Sequence, residues 1–174
     1  RNQIPPVPAN MEPNGAYAEM KEIGSGSRSW TEEQWDFYRW MYCRLVEDVE
    51  KQIGRILTAL ANSGLADNTV VVFTSDHGEM GQSHGLVFKS QLLEEATRTP
   101  LLIAGPGMQK GVVDSKNLTC GIDLVPTLCD LAGISIPKGL SGKSLKPVLT
   151  GQTDRIPRDY IIVESSFGYQ INDG

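Results

Sequence analysis

The sequence predicts an α/β layer fold with a mostly parallel sheet. Two observations carry that prediction: one long stretch of helical periodicity, and directly after it a continuous apolar run rich in β-branched residues. A second apolar run further along supplies another strand.

Residues 1–29 read as an extended loop segment that wraps something else, because they hold Pro5, Pro6, Pro8, Pro13 and a Gly24-Ser25-Gly26-Ser27 run with little periodic apolar content. The pattern then changes. Thr31 and Gln34 form a capping box, Trp30 and Trp35 occupy the positions of a hydrophobic staple, and Glu32 and Glu33 suit the positive end of the helix dipole. Tyr38, Met41, Leu45, Val49, Ile53, Ile56 and Leu60 recur at steps of three and four, so a long amphipathic helix is expected until Asn62-Ser63-Gly64 stops it. Arg39, Glu47, Glu50, Lys51 and Arg55 should form its solvated face.

Thr69–Thr74 then reads as a strand buried on both faces of a parallel sheet. Pro100–Ala104 is a second strand ending at Gly105-Pro106-Gly107, and Val112-Val113 marks a short third. Ile122–Gly133 is a short helix that tolerates Pro126 in its first turn and stops at Gly133. Tyr160–Val163 is the last strand expected. Residues 30–151 thus form an α/β core portion, and 152–174 the truncated start of a C-terminal subdomain.

With 174 residues, 40% hydrophobic and 21% charged, the chain is long enough for one ordinary domain with a sizeable core. Its net charge of -5, without any basic run, argues against nucleic acid. Val70–Phe73 and Leu101–Ala104, the longest apolar stretches, fall far short of the roughly 20 residues that span a bilayer. The start at Arg1 and the stop at Gly174 read as a piece cut from something longer, so a missing leader says nothing about compartment. Cys43, Cys120 and Cys129 are odd in number and lack CxxC spacing, which makes them small buried fillers rather than a disulfide framework or thiolate site.

Residues of catalytic character concentrate between Ser75 and Lys89, which include both histidines, His77 and His84. Asp76 and His77 stand where a strand runs out, the end of an open α/β sheet at which ligands bind. An adjacent carboxylate and imidazole can reach one cation, with Gly78 letting the chain turn away, although two ligands do not close a site. Read alone, such a pair is more often turn chemistry, and Lys89 a solvated charge. A loop punctuated by Gly78, Gly81 and Gly85 can nevertheless fold back and bring His84 and Lys89 to the point that Asp76 faces, a cluster suited to sulfate or phosphate.

At these residues the chain resembles the sulfatases of the alkaline phosphatase superfamily. Tyr42–Leu57 is similar to the helix before the family's second metal motif, Thr69–Gly78 to its strand and Ser-Asp-His-Gly turn, and Gly85–Lys89 to its lysine loop. Glu94–Ile103 resembles the segment that re-enters the sheet, and Asp123–Thr127 with Leu131–Gly133 and Leu140–Leu145 resemble the closing motifs. The resemblance spans about residues 38–151 and implies part of an alkaline phosphatase-like three-layer sandwich. It also implies a divalent site, calcium first with manganese or magnesium as alternatives, in which Asp76 and His77 are two of the ligands. Lys89 would contact the sulfate and its leaving oxygen, and His84 would support the site or the loop; Glu79 and Glu94 are read as loop and sheet-edge structure.

Two departures matter. The family's nucleophile is a formylglycine made within a Cys/Ser-x-Pro/Ala-x-Arg signature, and none of the three cysteines begins such a string; the paired aspartates of the family's first strand are absent too. The expectation is therefore the carboxy-proximal part of a sulfuric ester hydrolase acting on a sulfated small molecule or carbohydrate, inactive alone, with formylglycine in a preceding part. A phosphodiesterase or phosphonate monoester hydrolase on the same scaffold, and a non-catalytic anion-binding module, are the rival readings. The resemblance also favours a periplasmic or secreted location; oligomeric state is open.

Overall fold

The computed structural model describes Pro6 and residues 29–89, 91–165 and 168–172, the last five and residue 165 by their backbone. The expected wrapping segment 1–29 thus lies outside the described residues apart from Pro6 and Ser29. Two compact units interleave along the chain: Arg1–Ala66 with His77–Thr99, and Asp67–Asp76 with Pro100–Gly174.

The first unit is dominated by helix α1, Glu32–Asn62. Its start is built as the sequence requires: Gln34 N–H donates to Thr31 Oγ1 at 3.3 Å and Thr31 N–H to Gln34 Oε1 at 2.8 Å, while the Trp30 and Trp35 rings meet edge to face at 4.9 Å. Gly64, at φ +73°, follows the Ser63 cap and takes the left-handed conformation that ends the helix. The two faces depart from expectation. Leu45, Val49 and Ile56 are 55–66% exposed, whereas Arg39, expected in solvent, is buried, as Trp35 is, and paired to Asp36 at 2.6 Å. Helical periodicity marks which side is apolar; it does not say which part of that side its own unit covers. After the loop that opens at His77 comes the single turn α2, Glu94–Thr97, and Met80, Leu86 and Ala96 form a small core with Leu93 against it.

In the second unit, β1 (Val71–Thr74) pairs with β2 (Leu101–Ala104) in the register Val71↔Ala104 to Thr74↔Leu101. The pairing is antiparallel, as is every ladder among the described residues, and Phe73 and Thr74 are exposed rather than buried on both faces. An unbroken β-branched run reports a strand's affinity for a sheet interior, not the direction of its neighbour. No strand forms at Val112-Val113, which are exposed; Asp114 instead closes a turn on the Lys116 and Asn117 N–H groups. Helix α3, Leu124–Leu131, follows a short turn at Gly121–Asp123, keeps Pro126 in its first turn and stops before Gly133 at φ +70°. A short helix, α4 (Lys146–Leu149), leads toward β3 (Ile161–Ser165), which pairs antiparallel with β4 (Gly168–Asn172), a strand not anticipated. The cysteines are free and half-buried rather than core fillers.

Candidate active site

β1 delivers Asp76, which is exposed and accepts a hydrogen bond from Ser75 Oγ at 3.3 Å. The next residue, His77, opens the loop of the other unit. Its Nδ1 lies 2.8 Å from the Gly78 carbonyl oxygen, and its Nε2 lies 2.6 Å from Lys89 Nζ. A carbonyl can only accept, so Nδ1 carries the proton and Nε2 presents its lone pair to the lysine ammonium. The structure therefore brings together His77 and Lys89, twelve residues apart in sequence. Gly78, where the sequence lets the chain turn away, has no positive φ. Its N–H donates to the Ala96 carbonyl at 2.8 Å, so close that a β-carbon would overlap the Glu95 carbonyl oxygen. Glycine is required there for backbone approach.

The loop between these residues turns through Gln82 (φ 87°), His84 (φ 54°) and Phe88 (φ 66°), three non-glycine residues in the left-handed region. His84 sits in the turn Ser83–Gly85, closed by Gly85 N–H on Gln82 O at 2.7 Å and Leu86 N–H on Ser83 O at 3.0 Å. Glu79 lies inside the loop. Its Oε1 accepts from Tyr38 Oη at 2.5 Å, Phe88 N–H at 2.6 Å and Gly81 N–H at 3.3 Å. Burial, then the hydrogen bond and negative charge of Glu79, push the Tyr38 phenol well above its ordinary value; burial and the same charge raise Tyr42. Sequence reading placed Tyr38 on the apolar stripe of α1 and Glu79 in loop structure without connecting them. Forty-one residues separate the two, and no local spacing reveals such a pair.

A carboxylate and an imidazole are donors that suit a divalent ion. Two such donors do not close a site, and among the described residues no group of three His, Cys, Asp or Glu side chains is arranged to hold a metal. Glu94 pairs with Arg98 at 2.5 Å on the surface. The second unit has a cavity of about 290 Å³ of its own, lined by Lys116, Asn117, Asp154, Arg155, Ile156 and Arg158, none of them a residue that the sequence singles out.

The closing motifs form a structural nest in that unit. Asp123, fully buried, takes both ends of Arg158 at 2.5 and 2.6 Å and the N–H groups of Lys143 at 2.7 Å and Cys120 at 3.0 Å. Burial alone would raise the Asp123 carboxyl, but Arg158 and the backbone donors outweigh it and hold the group below its ordinary value. Thr127 Oγ1 accepts from Leu145 N–H at 2.9 Å and Asp130 from Ser144 Oγ at 2.7 Å, which docks 140–146 onto α3. Arg158 lies outside both motifs and was not anticipated.

The comparisons with known proteins place this order of motifs in one family. The sulfatase family profile matches residues 11–134, and the chain belongs to the sulfatase family. It is 37% identical over 144 residues to the Delta 4,5-hexuronate-2-O-sulfatase of Bacteroides thetaiotaomicron, an alignment covering 81% of this chain and 30% of the relative. Among solved structures, a 2-O GAG sulfatase superposes over 98% of this chain and 41% of its own, with 30% identity and a TM-score of 0.84. A phosphonate monoester hydrolase from Silicibacter pomeroyi superposes over 84% of this chain and 30% of its own, with 34% identity and a TM-score of 0.74. The α/β, alkaline phosphatase-like class therefore stands, and the chain spans well under half the length of these relatives.

Proposed function

We propose that this chain is the carboxy-proximal part of a sulfatase that hydrolyses sulfate esters of carbohydrates. In this reading Asp76 and His77 hold a divalent cation, calcium, and Lys89 contacts the sulfate and its leaving oxygen. The observation that carries it is the 2.6 Å approach of Lys89 Nζ to His77 Nε2, with the other imidazole nitrogen turned to the Gly78 carbonyl. That arrangement places the Lys89 ammonium beside the His77 imidazole, where an oxyanion would meet positive charge.

Asp76 and His77 would hold a divalent ion that, when bound, would offset charge on the sulfate oxygens. Lys89 adds a point charge, and three donors, toward the ester oxygen that departs as negative charge develops on it. The Gly78 carbonyl beside Nδ1 orients the His77 ring, so that Nε2 is the nitrogen that would face a cation. The nucleophile, a formylglycine, belongs to a part of the protein preceding this chain, and the isolated chain is inactive. The names of the hexuronate 2-O-sulfatase and the 2-O GAG sulfatase support a sulfated carbohydrate as substrate.

A phosphonate monoester hydrolase is the second reading, favoured by the likeness over 84% of the chain to an enzyme of that name. The two separate on substrate: the full-length protein should turn over a 2-O-sulfated hexuronate disaccharide at least about tenfold faster, in kcat/KM, than a phenylphosphonate ester, a gap of roughly 1.4 kcal/mol. The reverse order selects the second reading. Metal content is read in parallel on Asp76→Ala, which should lose the bound cation and about 10²-fold or more of the activity. Equal calcium and equal turnover in both proteins would sink the ligand assignment.

A further inference from the structure

The geometry points to Glu79 as a positioning residue that sets Lys89 by holding Phe88 in a left-handed backbone conformation. Phe88 is the residue before the lysine. At φ 66° its backbone occupies a region that a bulky side chain rarely enters, and that persists only where the surroundings over-determine it.

Both of its backbone groups are held. Glu79 Oε1 accepts the Phe88 N–H at 2.6 Å, and Met80 N–H donates to the Phe88 carbonyl at 2.9 Å. The Phe88 side chain is 60% exposed, so hydrogen bonding rather than packing fixes the conformation. Glu79 is itself anchored: the same oxygen accepts from Tyr38 Oη at 2.5 Å, which ties the loop to α1, and from Gly81 N–H at 3.3 Å. Met80 is 1% exposed in the small core with Leu86 and Ala96, so the second hold rests on a packed residue. The next residue then carries its ammonium to His77 Nε2. Were Phe88 to relax to negative φ, the chain direction at Lys89 would change, and the lysine would leave that position.

The inference rests on the reading that Lys89 acts on the sulfate, and the experiment separates the two. In the metal-saturated full-length protein, with 4-nitrophenyl sulfate as substrate, Glu79→Ala should lower kcat by about tenfold or more with KM changed less than about threefold. Glu79→Gln keeps an oxygen acceptor for Phe88 N–H and should recover kcat to within about threefold of the parent. Phe88→Gly in the Glu79→Ala background should also recover part of kcat, because glycine takes positive φ without steric cost. Tyr38→Phe, which keeps the Glu79 carboxylate as the acceptor of Phe88 N–H, should reduce kcat by less than Glu79→Ala. Lys89→Ala is run beside them. If it keeps the parent kcat, the reading of Lys89 fails. If it is inactive while Glu79→Ala matches the parent, or if neither Glu79→Gln nor the added Phe88→Gly change restores activity, the positioning role is overturned and the role of Lys89 stands.

Discussion

The loop His77–Lys89 and the nest around Asp123 both gather polar groups on a buried or half-buried carboxylate, yet they use them differently. Asp123 is satisfied on both oxygens by a two-pronged guanidinium and backbone N–H groups, and no non-glycine residue of the nest stands at positive φ. Glu79 gathers three donors on one oxygen, and the loop that it organises contains three non-glycine residues at positive φ. The first arrangement locks a fold. The second holds an unfavourable backbone path so that an exposed lysine and a histidine meet. Non-glycine residues at positive φ are concentrated in the loop and absent from the nest.

The comparison breaks first at Asp123. Asp123→Ala leaves the half-buried Arg158 guanidinium without its carboxylate, and should cost about 3 kcal/mol, read as a fall in the thermal midpoint. Because the folded state holds the Asp123 carboxyl below its ordinary value, this stabilisation is fully present above the unfolded value of 3.8 and is lost as pH falls through the lower, folded one. The midpoint of the parent should therefore decline steeply in that acid window, and the Asp123→Asn protein should decline less. An identical acid limb in both would show that the ion pair contributes nothing to stability.

Much of the fold was legible because it depends on local rules. The capping box at Thr31 and Gln34, the Trp30–Trp35 staple and the stops at Gly64 and Gly133 each follow from residues within a few positions of one another. Loop length and glycine punctuation allowed a fold-back bringing His84 and Lys89 to the point that Asp76 faces, whereas the structure places Lys89 Nζ at His77 Nε2 and His84 within the turn Ser83–Gly85. What escaped was non-local. Strand direction, the pairing of Tyr38 with Glu79 and the docking of Arg158 on Asp123 are decided by which distant segments share space, and neither periodicity nor spacing encodes that. Arg39 escaped for a related reason: its charge predicted solvent, while a short-range pair with Asp36 made burial tolerable.

Two glycines sharpen the contrast at a smaller scale. A β-carbon on Gly78 would overlap the Glu95 carbonyl, and one on Gly142 would overlap the Ile122 carbonyl. Either alanine forces the backbones apart and should cost about 1–3 kcal/mol. Only Gly78→Ala displaces a residue beside His77, so it should also lower kcat in the full-length protein, whereas Gly142→Ala should lower the thermal midpoint alone. A comparable fall in kcat from both would mean that the nest and the loop are one functional body.

The smallest expected effect tests whether α1 matters to the site through its start or only through Tyr38. Thr31→Ala removes the oxygen that accepts Gln34 N–H and should cost about 1 kcal/mol, as helix caps do. The cap stands about two helical turns before Tyr38, and the Trp30–Trp35 contact at 4.9 Å still fixes the entry of the chain. Fraying should thus stop short of the Glu79 contact, so the midpoint falls while kcat on 4-nitrophenyl sulfate stays at the parent value. A parallel loss of kcat would show that the first turn of α1 is mechanically coupled to the loop, and that the tyrosine anchor reaches further back along the helix than its own hydrogen bond.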